Sequence, residues 1–396
     1  MGLVARLLPI RTDRVVLATA RTPVLEGNLL HIHGALRRLR PDLTVSLLLE
    51  PYSYGFVGKL GYLGRLIRGM VLLQTSRWFV VDNAYLPVHV MPHRAGTTVV
   101  QVWHAVGALK RFGWDAHRPV ADPERRFLHR HYDWVVCSAE ASRAAYAAAL
   151  RTPPERVVPL GAPRIDGLVD EQRLAAVRGR LLDAYPVMHD RRVVLYAPTF
   201  RGRGIGKQAA DGLDAVALRA ALPADHLLVL KTHPNLDPAT TPTVGFDLVV
   251  DPLTDLNDLL AVTDVLVTDY SSSIFEWALL RRPLVLLVPD LDTYEQDPGL
   301  YLDYRTQLIG VQVAASAGVA ASAGVAATAD VADVADAVMT ARPDPASWDA
   351  FIDHHLGVVD GRAAERFVHR FIGSPSRERE ASPGRGDTLR PDARHE

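Results

Sequence analysis

Hydroxyl and acidic side chains follow an apolar, β-branched run at residues 265–268, and their types suit the binding of a phosphate group. The run leads into Asp269, then into three serines (Ser271, Ser272 and Ser273), and then into a helix-like stretch that contains Glu276. Backbone N–H groups at a helix start, three hydroxyls and the positive end of the helix dipole would together suit a pyrophosphate. A simpler interpretation is that Ser273 and Glu276 form a capping box, and both interpretations can hold at once.

Two other apolar runs end in polar residues of the same character. Thr199 and Arg201 follow residues 193–197, and His233 follows residues 227–230. A proline close behind each run ends the strand sharply, so the polar side chains would lie at the rim of the sheet. There His233 could donate a hydrogen bond to a phosphate or orient a leaving group. A single histidine is more often structural, and the case for His233 depends on the other two strand ends.

A histidine and two cations follow the strand-like residues 97–103. His104 comes at the end of the strand, and Lys110 and Arg111 follow six and seven residues later. A histidine with a pKa near 6.5 can accept a proton from a hydroxyl at neutral pH, and nearby cations can bind phosphate. The pattern predicts a base beside an anion clamp; the alternative is a strand-end histidine on a basic surface. No glycine-rich dinucleotide motif, P-loop, nucleophile elbow or zinc-protease motif is present in the sequence.

Short β-branched runs that alternate with helix-like stretches predict an α/β fold with two Rossmann-like, doubly wound domains facing a cleft. We expect an acceptor and membrane-side domain at 1–167, a nucleotide-donor domain at 168–372 with returning C-terminal helices, and a disordered tail at 373–396. Residues 311–330 contain a near-repeat of Ala, Ser, Gly and Val that has no titratable side chain, which predicts a spacer or helical filler. The strand predictions are residues 15–17, 97–103, 134–137, 156–160, 193–197, 227–230, 265–268 and 284–288, and the helix predictions are 170–185, 331–340 and 348–372.

Composition predicts a globular protein inside the cell. Hydrophobic residues make up 48% of the 396 residues, and Cys137 is the single cysteine, so no disulfide framework or cysteine-rich metal site is expected. No apolar run of the sequence is long enough to cross a bilayer, and no signal peptide is evident. We therefore expect a cytoplasmic protein with no metal site and no nucleic-acid partner.

The charge is distributed unevenly along the chain. Residues 1–165 contain 22 Lys and Arg against 11 Asp and Glu, whereas the remainder contains 22 against 34. This asymmetry indicates that the first half meets something anionic, although uneven surface solvation is the alternative. Residues 54–73 would place one apolar face and the cations Lys59, Arg65 and Arg68 on a helix, which is typical of an interfacial helix on an anionic membrane. A helix that packs on a sheet also needs one apolar face, so this alternative stays open.

Taken together, the motifs resemble those of the CDP-glycerol glycerophosphotransferase family. The similar blocks occur in order, and they span residues 101–104 with Lys110 and Arg111, 161–166, 196–201, 231–234, 268–272, and 289–290 with Tyr294 and Tyr301. The sequence departs from the family pattern at Ala105, Val106 and Gly107, where the family has Gly-Thr directly after the histidine. This departure leaves the identity of the acceptor open.

The resemblance implies a two-Rossmann glycosyltransferase-B architecture and the transfer of glycerol phosphate from CDP-glycerol to a hydroxyl of a lipid-linked or polymeric acceptor, with release of CMP. It also implies a place in the synthesis of teichoic-acid-like polymers of the cell wall or capsule. It implies that His104 is the base, that Lys110 contacts the transferring phosphate, and that His233, a third catalytic residue, would help to hold the donor pyrophosphate. The implied donor residues are Thr199, Arg201, Asp269, Ser271, Ser272, Ser273 and Glu276, of which Glu276 would reach the ribose, and Arg111 and Arg164 are implied phosphate or acceptor contacts. No cofactor is required, although Asp269 could bind Mg²⁺.

Three alternatives stay open at this point. A glycosyltransferase with a nucleotide-sugar donor would use the same cleft, because the fold does not separate the two reactions. A transferase that uses CDP-ribitol would share every motif. A non-catalytic protein that binds a nucleotide or polymer would keep the cleft without turnover. Peripheral contact with the inner face of the cell membrane is expected for a lipid-linked acceptor.

Overall fold

A computed structural model describes residues 2–49, 56–116, 127–201, 212–232, 236, 242–314 and 329–373, without the side chains of residues 2, 3 and 56–60. Within these residues the chain forms two six-stranded parallel sheets with helices between the strands. The first sheet has the order β2-β1-β3-β4-β5-β6. Its strands are β1 (Arg11–Thr19), β2 (Thr44–Leu49), β3 (Ser76–Val81), β4 (Thr98–Gln101), β5 (Trp134–Cys137) and β6 (Val157–Pro159).

The second sheet has the order β12-β11-β10-β7-β8-β9. Its central strands are buried on both faces, which is why they are continuous runs of Val and Leu without alternating polar residues. Its strands are β7 (Arg192–Tyr196), β8 (His226–Lys231), β9 (Leu248–Val250), β10 (Val265–Thr268), β11 (Leu284–Val288) and β12 (Val311–Ala314).

Helices cover both faces of both sheets. They are α1 (Gly2–Ala5), α2 (Gly27–Leu39), α3 (Phe56–Thr75), α4 (Leu86–Val90), α5 (Arg143–Ala149), α6 (Glu171–Ala184), α7 (Ala215–Ala221), α8 (Leu256–Leu260), α9 (Ser273–Ala278), α10 (Leu291–Gln296), α11 (Val331–Thr340), α12 (Pro345–Leu356) and α13 (Ala363–Phe367), which continues into a π-helical turn at Val368–Ile372. Aspartates cap several of them: the Asp170 carboxylate accepts from the Arg173 N–H at the start of α6, and Asp344 caps α12 in the same way.

The end of the chain returns to the first sheet. Buried Phe367 and Val368 pack with Val15 and Leu17 of β1, and the Trp78 indole N–H donates to the main-chain oxygen of Phe371 at 2.9 Å. The second half of the sequence therefore completes the core of the first. The domain boundary at 167/168 stays a prediction.

The predicted fold class is confirmed, and the eight predicted strands and the helix at 331–340 match elements of the structure. Two predictions were wrong in part. Residues 311–314 form edge strand β12 where a spacer was expected, because a near-repeat can still pair with β11. The predicted helix at 348–372 is interrupted between α12 and α13, where Gly357 has φ +65°. The predicted tail at 373–396 lies outside the described residues except for Gly373, whose main-chain oxygen accepts from Arg40. Residues 315–328 also lie outside the described residues.

Candidate active site

A sharp turn after β4 presents His104 at the carboxyl edge of the first sheet. Trp103 has φ +51°, which is a left-handed conformation that a non-glycine residue adopts only at a cost. The Gln101 amide oxygen accepts from the Trp103 N–H at 2.8 Å, and the Asn28 amide donates to the main-chain oxygens of Val102 and Trp103 at 3.1 and 2.8 Å. These side-chain contacts stabilise the turn and fix the direction in which His104 leaves the strand.

A buried polar network supports the turn from behind. The Gln101 amide nitrogen donates to the Asn83 main-chain oxygen and to the Tyr132 hydroxyl, both at 3.0 Å. Tyr132 also lies 2.8 Å from His89 Nε2 and 3.1 Å from His129 Nδ1, so its hydroxyl can donate to one imidazole and accept from the other. Burial lowers the pKa of His89 to about 4, so this ring is neutral at physiological pH.

The environment of His104 suits a general base. Its Nδ1 lies 3.3 Å from the main-chain oxygen of Asp82, and a neutral ring that donates from Nδ1 has Nε2 as its basic nitrogen. The imidazole packs on Trp103 with ring centroids 4.5 Å apart, and the residue is half-buried. The Asp82 side chain is buried, and that burial raises its carboxyl pKa to about 6.

Lys110 and Arg111 lie where the first half of the chain contacts the second. Lys110 Nζ lies 5.7 Å from the ring centroid of Tyr294, and no carboxylate among the described residues is within ion-pair distance of it. Arg111 is paired with Asp115 at 3.3 Å and lies over the ring of Tyr301. Lys110 is therefore the better placed of the two cations to bind a phosphate.

A short antiparallel pairing joins the two halves beside these cations. The Arg111 N–H donates to the Gly299 main-chain oxygen, and the Tyr301 N–H donates to that of Leu109, both at 2.9 Å. Lys110 and Leu300 form the bridge between these two bonds. The pairing fixes the distance between the segment that carries Lys110 and Arg111 and the second sheet.

At the carboxyl edge of the second sheet, Arg201 holds two carboxylates. Its guanidinium lies 2.9 Å from Asp269 and 2.9 Å from Asp290, and these two charges raise its pKa. Asp269 is 2% exposed and also accepts from the Thr199 N–H and hydroxyl at 2.8 and 2.9 Å. The Arg201 guanidinium lies 5.1 Å from the centroid of Tyr294, the same ring that Lys110 contacts. Cations from both halves therefore meet around Tyr294.

The serine turn, which consists of Ser271, Ser272 and Ser273, leads into α9, a helix of six residues that begins at Ser273. The Ser273 hydroxyl and N–H both donate to the Ser271 hydroxyl, at 2.8 and 3.2 Å, and Ser272 is the N-cap residue without a side-chain cap. The capping-box interpretation was wrong, because Glu276 pairs elsewhere and Ser273 bonds to a hydroxyl. Ser271 and Ser272 remain half-exposed at the rim of the sheet.

Arg164 connects this helix to the base. Its Nη1 donates to the main-chain oxygen of His104, and its Nε lies 3.1 Å from Glu276 Oε1. Burial raises the pKa of Glu276, and the charge of Arg164 opposes that rise. Glu276 was predicted to reach a ribose, whereas here its carboxylate faces Arg164; its donor role stays a prediction.

The structure thus brings His104, Arg164 and Glu276 together at one contact and Lys110, Thr199, Arg201 and Asp269 around another. Arg111 lies beside Lys110, and the serine turn begins two residues after Asp269. His233 lies outside the described residues. Lys231, two residues before it, is buried, and that burial lowers the pKa of Lys231 to about 8. Sequence reasoning missed Asn28, Gln101 and Asp82. Asp82 follows a strand end as His104 does, which was the available signal.

No described helix is both long and apolar enough to cross a membrane. Within the described ranges, no three His, Cys, Asp or Glu side chains are grouped so that they could hold a metal ion.

Comparison with protein families gives a match over nearly all of the chain. Residues 1–372 match the model described as CDP-glycerol:poly(glycerophosphate) glycerophosphotransferase. A teichoic acid ribitol-phosphate primase from Bacillus spizizenii is 35% identical over 318 residues, which cover 78% of this chain and 81% of the primase. A teichoic acid poly(ribitol-phosphate) polymerase from the same organism is 30% identical over 93% of this chain, and the matched part is 58% of the polymerase.

A solved structure supports the architecture. The wall teichoic acid polymerase TagF superposes with a TM-score of 0.66 at 20% identity, covering 94% of this chain and 92% of that one. At this identity the likeness shows the fold, which is two facing Rossmann-like domains.

Proposed function

Because the chain belongs to the CDP-glycerol:poly(glycerophosphate) glycerophosphotransferase family, we propose that it transfers glycerol phosphate from CDP-glycerol to a hydroxyl of a lipid-linked or polymeric acceptor. The family and its relatives confirm the predicted transferase class and the predicted place in teichoic acid synthesis. They favour this class over a nucleotide-sugar glycosyltransferase and over a non-catalytic binding protein. The observation that carries the proposal is the meeting of Lys110 and Arg201, one from each half of the chain, around the ring of Tyr294.

The chemistry follows from the positions of the side chains. The acceptor hydroxyl oxygen forms a bond to the β-phosphorus of the donor, and its proton passes to Nε2 of His104. The bond between that phosphorus and the bridging oxygen breaks, and CMP leaves with the electron pair. Lys110 would stabilise charge on the transferring phosphoryl group, and the hydroxyls of Ser271 and Ser272 would bind the pyrophosphate.

The proposal requires no resident metal. Asp269, the carboxylate that could bind Mg²⁺, is already bonded to Thr199 and to Arg201. A metal at Asp269 would have to displace the Arg201 guanidinium from a carboxylate that is 2% exposed.

CDP-ribitol is the second candidate donor. The two relatives described above are named for ribitol phosphate, and one of them is 35% identical. The two donors differ only in the length of the polyol, so the cytidine and pyrophosphate contacts would be shared.

The test is a donor panel with the purified full chain. Release of free CMP, UMP and UDP would be measured with CDP-glycerol, CDP-ribitol, a UDP-sugar and no donor, each with a lipid-linked glycerol-phosphate acceptor. We expect acceptor-dependent CMP release with one CDP-alditol. Release of UDP from the sugar donor, with no CMP from either CDP-alditol, would contradict the proposal.

Contact with an anionic membrane is a further part of the proposal, and it is supported by exposed apolar side chains near the N-terminus. Leu7 is 85% exposed, and Leu63 on α3 is 52% exposed. Leu7 follows helix α1, which packs against α3, and Arg68 on α3 is also exposed. Apolar side chains beside cations are typical of an interfacial contact.

Sedimentation with liposomes tests this contact. The wild type would be compared, on vesicles with and without anionic lipid, with two variants: a Lys59, Arg65 and Arg68 to Gln triple variant and Leu7→Ser. We expect both variants to pellet less than the wild type on anionic vesicles. Equal pelleting of all three proteins would assign any membrane contact to another surface.

A further inference from the structure

A buried ion pair joins helix α9, which follows the serine turn, to a 3₁₀ helix that contacts the base loop, residues 103–107. Arg164 belongs to the 3₁₀ helix Pro163–Leu168 of the first half, and Glu276 belongs to α9 of the second half. The Arg164 side chain is 15% exposed and the Glu276 side chain 3%. The same guanidinium donates to the main-chain oxygen of His104. One side chain therefore contacts both the proposed base and the donor-side helix.

The backbone around Arg164 is held as firmly as its side chain. The Arg164 N–H donates to the Asn28 amide oxygen at 2.8 Å, and Asn28 also holds the turn at Trp103. The Arg164 main-chain oxygen accepts from the amide of Asn257 at 3.3 Å. The single side chain of Asn28 thus holds both Arg164 and the turn that precedes His104.

Helix α9 also contacts the base loop through apolar groups. Gly107 lies against the ring of Phe275, where an added Cβ would come within 2.6 Å of ring atoms, and Val106 is fully buried in the core of the second half. The Tyr146 hydroxyl lies 2.9 and 3.1 Å from the main-chain oxygens of Ala105 and Gly107, so its single hydrogen can be donated to either one. Residues 105–107, where the sequence departs from the family pattern, are therefore the part of the loop that fits onto α9.

The Arg164–Glu276 pair is poorly explained as a stabilising contact. Glu276 Oε2 is buried and has no hydrogen-bond partner among the described residues, so the desolvation of this carboxylate is only partly offset. Buried pairs of this kind often contribute little to stability, and their better attested use is to fix geometry.

We propose that Arg164 and Glu276 are positioning residues that set His104 against the serine turn, so that the base and the donor site are aligned as one unit. The proposal rests on the proposed function in that His104 is the base. In this proposal Glu276 binds Arg164 instead of a ribose. Arg164 binds the main chain of His104 instead of an acceptor.

Three variants test it. Glu276→Gln keeps the shape of the side chain and removes the charge. Arg164→Lys keeps the charge but cannot reach both partners with a planar fork. The double variant Arg164→Met with Glu276→Gln removes both charges and so leaves no unpaired one. Arg219→Met is the matched control, because it breaks the half-buried Arg219–Asp247 pair on α7, away from the base loop.

We expect each single variant to lower kcat about 10²-fold, as small misplacements of reacting groups do, while the Kd for CDP-glycerol measured by calorimetry changes less than about threefold. The double variant should recover the wild-type Tm but not the wild-type kcat. Recovery of both would make the pair merely structural and overturn the proposal. A Kd raised about tenfold or more in Glu276→Gln, with kcat unchanged, would make Glu276 a donor ligand and also overturn it.

A second readout does not depend on turnover. The Cε1–H NMR resonance of His104, assigned by its loss in His104→Asn, should shift in Glu276→Gln and Arg164→Lys but not in Arg219→Met. An unmoved His104 resonance in the folded single variants would refute the positioning role whatever the activity. Absence of CMP release by the wild type, with the resonance shifted as expected, would refute the donor assignment and leave the positioning role supported.

Discussion

Gly107→Ala should destabilise the protein more than an ordinary substitution at a loop glycine. Gly107 has φ +65°, where an alanine costs about 1 kcal/mol in backbone strain. Its Cβ would also lie 2.6 Å from two ring atoms of Phe275, a side chain that is completely buried and cannot move aside freely. Overpacking of a buried contact adds about 2 kcal/mol, so we expect a total of about 3 kcal/mol.

The matched control is Gly27→Ala. Gly27 has a similar φ of +55°, but an added Cβ there would meet nothing within 4 Å, so only the backbone cost of about 1 kcal/mol applies. For a domain of about 150–250 residues, which is the size of each predicted domain, a loss of about 1 kcal/mol lowers Tm by roughly 2–4 °C. Thermal unfolding should therefore show a loss of about 6–12 °C for Gly107→Ala and about 2–4 °C for Gly27→Ala.

A double-mutant cycle isolates the steric part. Phe275→Leu alone should cost stability, because a buried ring is lost, but it should relieve part of the Gly107→Ala penalty when the two are combined. Equal Tm losses for the two glycine variants, with additive effects of Gly107→Ala and Phe275→Leu, would refute the contact between the base loop and α9.

Three further predictions concern the base, the donor and a buried carboxyl. His104→Ala should lower turnover at least about 10²-fold with little change in donor affinity, and near-normal turnover in the folded variant would remove His104 from the mechanism. Alanine at Ser271 and Ser272 together, or at His233, should weaken CDP-glycerol binding in calorimetry; unchanged affinity would leave these side chains with a structural role only. The pKa of Asp82 is raised from 3.8 to about 6 in the folded protein, so its contribution to stability is present below pH 4 and is lost as the pH rises through 6. Relative to the wild type, Asp82→Asn should therefore gain up to about 3 kcal/mol of unfolding free energy between pH 4 and pH 7.5 in denaturant titrations, and a difference that does not vary with pH would contradict the buried environment of Asp82.

Much of the fold could be predicted from the sequence because parallel strands buried on both faces are continuous apolar runs. Residues 134–137, 265–268 and 284–288 coincide with strands β5, β10 and β11. Edge strands were harder: β9 has three residues, and β12 begins a stretch rich in Ala, Gly and Ser. Their pairing is decided by the neighbouring strand more than by their own composition.

The candidate site could be predicted as a set of strand ends but not as a set of contacts. Polar residues after β4, β7 and β10 were expected to share a cleft, and Lys110 and Arg201 do meet at Tyr294. The partner of Glu276 could not be predicted, because Arg164 precedes it by more than a hundred residues and only the packing of the two halves brings them together. Local rules favoured a capping box at this position, and the tertiary contact prevailed.

The return of residues 363–372 to the first sheet has a consequence for the order in which the protein can fold. The nascent chain emerges from the ribosome N-terminus first, yet Phe367 and Val368 complete the core around β1. That face of the first sheet therefore stays incompletely covered until residues 363–372 have been synthesised. The two halves are not independent folding units in sequence order: cleavage after residue 362 would leave a hydrophobic surface open on the half that was made first.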